Sequence, residues 1–378
     1  MRSVDDLADD ERFAAAIAAL GAGPVRTRRF LEGFDPVTAW EALAAGRHPG
    51  DPDRHYQSKA RPALLESVGA CCTRNGVAVR LFGRPGYPAT LAGDHEAPGV
   101  LFTLGDPSVL DTSPRVAIVG TRSATPYGLS VASELGRGLA EAGVVVVSGL
   151  ARGIDSAAHA GALAVAGGSA PVAVLGTAPD AAVHRAEAQL KQAIAEKGAV
   201  LSERAPGSSG TPVWCFAVRN RMLAALAHVV VVVECHRKGG SLNTVKAASD
   251  RGVTVAAVPG SVRSSASAGC NALLVDGATP VRDVQDVLAA VELAITGLPG
   301  IVPPRTPPRA SPDRAAAARA PSPMAARTLR ALDHDPASLD TVVRRCALPL
   351  ADVAEALEQL AAAGLATGSG GWWSRSNR

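Results

Sequence analysis

Six short, unbroken apolar segments constrain this chain most: RVAIV, VVVVS, PVAVL, GAVLS, HVVVVVE and VTVAAV, all between Arg115 and Val258. A strand with one wet face alternates polar and apolar residues, and these do not. Stretches with helical apolar spacing, such as PYGLSVASELGRGLAEAG, separate them. Continuously apolar strands alternating with helices predict a parallel sheet covered on both faces. Right-handed crossovers then make the domain doubly wound. The predicted fold class is α/β: an extended Rossmann-like, mostly parallel sheet over residues 76–298.

The flanks read differently. Residues 1–75 predict a helical domain, similar to a helix-hairpin-helix or SAM unit, because ERFAAAIAALGAGPVRTRRFLEGF reads as helix, Gly-Pro turn, helix. Such a unit either touches nucleic-acid backbone through its turn or simply packs. VRLFGRPGYPATL and APGVLFTLGD read as a connecting piece. Proline- and arginine-rich sequence over 299–321 predicts a linker. Residues 322–378 read as three helices and a short β-wing, the winged-helix pattern. Its presumed recognition helix, LADVAEALEQL, carries Asp352, Glu355 and Glu358 and no base. A phosphate-lined groove repels that face, so a protein-contact or auxiliary role is expected.

With 378 residues, more than one core is expected. A net charge of +3 gives no global field to steer a polyanion, so any such binding must come from local clusters. The six cysteines form no C-x-x-C pair and no zinc spacing, so no metal is expected, and a reduced compartment fits. The acidic start MRSVDDLADDERF lacks a signal core, and no apolar run reaches the roughly 18 residues of a membrane span. A cytoplasmic protein without membrane contact is expected.

Ligands of open α/β sheets bind beyond the carboxyl ends of the strands. Those ends read GTRSATPYG, GLARGID, CHRKGGSLNT and PGS. Glycine admits close backbone approach, and helix starts supply N–H donors for anions. Arg122, Arg152, Arg237 and Lys238 add cations. A short helix is predicted over 220–227, so Arg219 and Arg221 would crowd a helix start that is already positive. An anion at that rim answers the charge. Phe216, in a chain with only 3% aromatics, is either core or a platform for a base. No G-x-G-x-x-G follows the first strand and no Walker loop occurs, so no nucleotide cofactor is expected. Asp155 and His159, four apart on one helix face, are either an acid/base pair or a cap and a packing residue. Ser148 and Ser241 lie in no G-x-S-x-G elbow, and no catalytic residue is assigned.

VAIVGTRSATPYG, VVVVSGLARGIDSAAHAGAL, FAVRNRMLAALAHVVVVVE, KGGSLNTVKAA and TVAAVPGS, in this order, resemble the DNA-processing protein A (DprA/Smf) family over about residues 85–290. That resemblance implies a non-enzymatic mediator. It would bind single-stranded DNA without sequence preference, protect incoming strands in natural transformation and help load the RecA recombinase. It would act as a homodimer through the Rossmann domain. Carried over by motif, Gly120, Arg122, Ser148, Gly149, Arg152 and Gly153 would line the DNA groove. Phe216 would face a base, and Arg219, Asn220 and Arg221 would hold phosphates or brace the loop. Lys238, Gly240 and Ser241 would complete the rim. Two departures stand out: Ala217 replaces the family's proline, and Gly239 replaces a serine. The alternative is a nucleotide hydrolase of the phosphoribohydrolase type. KGGSLNTVKAAS lacks the carboxylate that such enzymes place after their glycines. A pure protein-interaction adaptor is a third reading.

Overall fold

A computed structural model describes residues 7–182, 184–208, 210–212, 214–296, 322–332, 337–369 and 372–376. The predicted linker over 299–321 lies outside them. Four helices come first: α1 (Asp9–Ala19), α2 (Pro24–Leu31), α3 (Pro36–Ala44) and α4 (Pro62–Arg74). Gly23, at φ 78°, makes the turn after α1, and Pro24 opens α2. Proline suits that first position, where its missing N–H would have no helical partner. Ile17, Phe30 and Leu43 are fully buried at the centre of this bundle.

The sheet region runs β1 (Ala78–Leu81), α5 (Ala89–Ala92), β2 (Val100–Gly105), α6 (Val109–Thr112), β3 (Arg115–Val119), α7 (Pro126–Glu141), β4 (Val145–Ser148), α8 (Ile154–Leu163), β5 (Val172–Leu175) and α9 (Arg185–Lys197). It continues with β6 (Ala199–Ser202), α10 (Trp214–Leu226), β7 (Val229–Val232), α11 (Leu242–Ser249), β8 (Thr254–Ala257), α12 (Ala268–Val275), β9 (Thr279–Pro280) and α13 (Val284–Thr296). All six apolar segments are strands, and β3 to β7 are buried along almost their whole length. The order is β1-β2-β6-β5-β4-β3-β7-β8-β9. From β6 to β9 every pairing is parallel, with Val116 flanked by Val146 and Val229. The connecting piece is a correction. It supplies β1 and β2, which extend the sheet antiparallel beyond β6.

A second compact unit contains α14 (Pro323–Ala331), β10 (Ala337–Ser338), α15 (Leu339–Cys346), α16 (Leu350–Ala362), β11 (Ala366–Ser369) and β12 (Trp372–Arg375). Ser322 and Ser338 cap α14 and α15 by accepting from the N–H groups of Ala325 and Thr341. Val342, Leu357 and Leu360 form its core, and the three strands form the wing in the order β10-β12-β11. No helix among the described residues is long and apolar enough to cross a membrane.

Candidate nucleic-acid interface

β3 has β4 on one side and β7 on the other. The chain leaves β3 toward β4 and later returns to β7, so the connections diverge at the carboxyl ends of β3 and β7. Such a switch point opens a crevice above the sheet. Glycines let the loops close around it. A Cβ on Gly120 would lie 2.5 Å from Ile154 and 2.9 Å from the Glu234 carbonyl. Gly153, at φ 92°, packs against Thr121 and Arg122 where a side chain would collide. Thr121 N–H donates to the Glu234 carbonyl at 2.8 Å, tying the β3 loop to the β7 loop. Leu150 holds a left-handed φ of 57°. A non-glycine residue there costs on the order of 1–3 kcal/mol and marks a loop fixed by its surroundings. The result is a cleft of about 470 Å³.

Arg122 is exposed at its edge, and its guanidinium carbon stands 5.0 Å from the centre of the Phe216 ring. Gly176, after β5, lets that ring settle: a Cβ there would lie 2.9 Å from Phe216 Cδ1. Phe216, Asn220, Gly240 and Ser241 line the cleft. The backbone N–H groups of Gly240 and Ser241 have no partner among the described residues, and they stand just before α11. One cation, one half-buried ring and two open N–H donors therefore converge, a set suited to a phosphate and a base.

The place of the two RNR arginines is a correction, while the bracing half of their expected role fits the structure. α10 begins at Trp214, so Arg219 and Arg221 lie well inside a helix and not at its start. No glycine or proline interrupts WCFAVRNRMLAAL, so the helix extends upstream of the predicted position. Arg219 is buried, and its Nη1 donates to the carbonyls of Gly149 and Val174. Burial lowers its pKa while the Asp155 carboxylate opposes that shift. Arg221 is buried too. Its Nη2 pairs with Glu203 Oε1 and its Nη1 donates to the Glu96 carbonyl, both at 2.5 Å. Both arginines hold the loops in place from below the rim.

Other predicted residues divide in the same way. Ser148 is buried and donates to the Ile118 carbonyl at 2.6 Å, and Gly149 is buried beside Arg219. Arg152, Arg237 and Lys238 are exposed on the flanking loops and do not line the cleft. Ser241 is buried and donates to Cys235 Sγ at 3.0 Å, while Asn220 donates to the Gly240 carbonyl at 3.3 Å. Sequence reasoning did not single out Gly176, His236 or Asn243. The glycine after β5 and the CHRKGGSLNT loop carried the signal.

Asp155 and His159 are both buried, and His159 packs as expected, but Asp155 is no cap: Gly153 is the N-cap of α8, with no side-chain capping bond. Burial raises the Asp155 carboxyl against the pull of Arg219, and the N–H groups of Ala151 and Gly149 face it. Burial pushes His159 down to about 4. Among the described residues neither of its ring nitrogens has a hydrogen-bond partner, although the Ser148 main chain pulls weakly against the downward shift. This depressed pKa fixes a sign. The unfolded state takes up a proton near pH 6.5 that the folded state refuses until about pH 4, so stability falls as pH drops through that window. Between pH 7 and 4.5 the wild type is expected to lose about 2–3 kcal/mol more than His159→Leu in urea unfolding. Equal losses would contradict it.

Gly239 also has a physical account. A Cβ there would lie 2.8 Å from the Sγ of Cys235, which is fully buried. Gly239→Ser is therefore expected to cost about 1–3 kcal/mol as overpacking. In the Cys235→Ala background the same change should cost little. A double-mutant cycle with no coupling would exclude this explanation.

The parallel sheet, its glycine-packed crevice and the winged-helix unit define a Rossmann-like protein that also carries a winged-helix unit. The chain belongs to the family described as DNA recombination-mediator protein A, whose profile matches residues 78–292, and the DprA winged helix domain matches residues 311–371. A curated relative from Mycobacterium tuberculosis is 44% identical over 196 residues, 52% of this chain and 50% of that protein. The chain thus spans about half the length of that relative. The DNA processing protein DprA of Streptococcus pneumoniae is 39% identical over 206 residues, 54% of this chain and 71% of that one. An X-ray structure of the pneumococcal protein aligns with a TM-score of 0.62 at 32% identity, covering 72% of this chain and 95% of that one. A Helicobacter pylori DNA processing protein A structure, described for its single-stranded DNA binding mode, aligns with a TM-score of 0.50 at 28% identity over 58% of this chain and 96% of that one.

Proposed function

We propose that this chain binds single-stranded DNA without base readout in the crevice above β3 and β7. The observation that carries this reading is Arg122 poised 5.0 Å from the Phe216 ring, beside the open N–H groups of Gly240 and Ser241. A phosphate takes Arg122 and the N–H donors, and a base stacks at Phe216. The finer role is that of a cytoplasmic recombination mediator. It protects incoming single strands in natural transformation, helps load RecA and works as a homodimer through the Rossmann domain. Family membership supports each of these. Asp155 is the one carboxylate among the described residues lining the cleft, and burial plus Arg219 occupy it. That disfavours a hydrolase needing a free carboxylate.

The test is fluorescence anisotropy of labelled oligothymidine at several salt concentrations. Log affinity should fall with log salt by about 0.7 per phosphate contacted. Undetectable binding at low salt, or release of free base from nucleoside monophosphates, would overturn the reading. RecA filament growth on single-stranded DNA, timed with and without the protein, tests the loading role; no acceleration counts against it.

A further inference from the structure

The helix-turn-helix of the N-terminal region takes no part in the cleft above. Its turn and α2 nonetheless form one wall of a second cleft, of about 570 Å³, against α10 and α11. Ala217 and Asn243 line both clefts, so the two meet at a shared edge. Ala217 is exposed there and carries only a methyl group.

Charge distinguishes the second cleft. Five cationic and two acidic side chains line it. Arg221 is spent on Glu203, and Arg251 on Asp94 and Glu96 at 2.6–2.7 Å. That leaves Arg26 and Arg29 from α2 and Lys246 from α11, all exposed and without an ion pair among the described residues, against Asp250. Arg26 keeps a long contact to the Tyr56 hydroxyl at 3.4 Å, with its guanidinium carbon 5.9 Å from the centre of that ring. Val25, half exposed, adds an apolar surface among them. Cations from two distant parts of the chain thus face one groove that continues the first.

We propose that a single strand leaving the Arg122–Phe216 cleft crosses Ala217 and continues into this groove, where Arg26, Arg29 and Lys246 hold its backbone phosphates. This inference rests on the reading of the first cleft as a single-stranded DNA site. The helical region then acts as the second wall of an extended track. Recognition is electrostatic and sequence-tolerant, and it lengthens the site without adding base readout.

The experiment compares full-length wild type with the charge-neutral triple variant Arg26→Gln, Arg29→Gln, Lys246→Gln. Two oligothymidines are used, about six and about twenty nucleotides long, one near the short end of single-stranded DNA footprints and one beyond the long end. The short probe should bind both proteins within about twofold. With the long probe, the variant should lose about tenfold in affinity at low salt. Its slope of log affinity against log salt should drop by roughly 2, three lost contacts at about 0.7 each. Equal affinity and slope for the long probe would overturn the proposal and leave the first cleft standing. An equal loss on both probes would also overturn it, since the effect would not belong to a continuation of the strand. Wild type that binds neither probe would overturn the first reading, and this one with it.

Discussion

Arg122→Ala is expected to weaken oligothymidine binding by about ten- to a hundredfold while leaving the fold intact. Arg122 is exposed and has no ion pair among the described residues, so its removal strands no buried charge. A hydrogen bond to a charged group contributes about 1.5–3 kcal/mol, which is that range in affinity. The salt slope should fall with it, by about 0.7 for one phosphate. Phe216→Ala separates the two halves of the site. It removes stacking of about 1–3 kcal/mol per base and leaves the slope nearly unchanged. Anisotropy titrations at three salt concentrations report both quantities. An Arg122→Ala protein with wild-type affinity and slope would remove the residue from the interface.

Arg221→Ala should behave in the opposite way. It is expected to lower stability by about 3–5 kcal/mol, because it leaves Glu203 buried without its partner. Burial already pushes that carboxyl up to about 7, even with Arg221 only 2.5 Å away. Oligothymidine affinity of the folded fraction should change little, since the guanidinium faces Glu203 and the Glu96 carbonyl. The double variant Arg221→Met, Glu203→Leu should recover much of the loss, as apolar replacements of buried pairs often do. Urea unfolding at pH 7 measures the effect. A change under about 0.5 kcal/mol together with a large loss of affinity would mean that Arg221 is a surface phosphate contact.

These two arginine changes mark where the sequence is legible. The valine runs declare a doubly buried parallel sheet because they are short, β-branched and alternate with helical stretches, and the strand ends then place the crevice. β1 and β2 are hidden because AVRL and VLFTLG are short and separated by a turn-rich stretch with three prolines. The RNR arginines were misplaced for another reason. Sequence shows that an arginine is present, and its partners decide whether it is displayed. Those partners are Gly149, Val174, Glu203 and Glu96, between 18 and 125 residues away. Ser148 likewise turns inward to the Ile118 carbonyl on a neighbouring strand. Gly239 is explained by the Cys235 thiol packed against it, a contact that the sequence does not display. Arg122 and Phe216 were legible because a cation after a glycine turn and a rare aromatic stand out without knowledge of the packing.

The most direct test of the central claim is photo-crosslinking of an oligothymidine carrying 5-iodouracil, followed by mass-spectrometric mapping of the adduct. Iodouracil reacts with an aromatic ring that stacks on it. The account predicts a dominant adduct on Phe216 in the full-length protein, diminished in Arg122→Ala. Adducts confined to Trp372 and Trp373 of the wing, with none on Phe216, would contradict it.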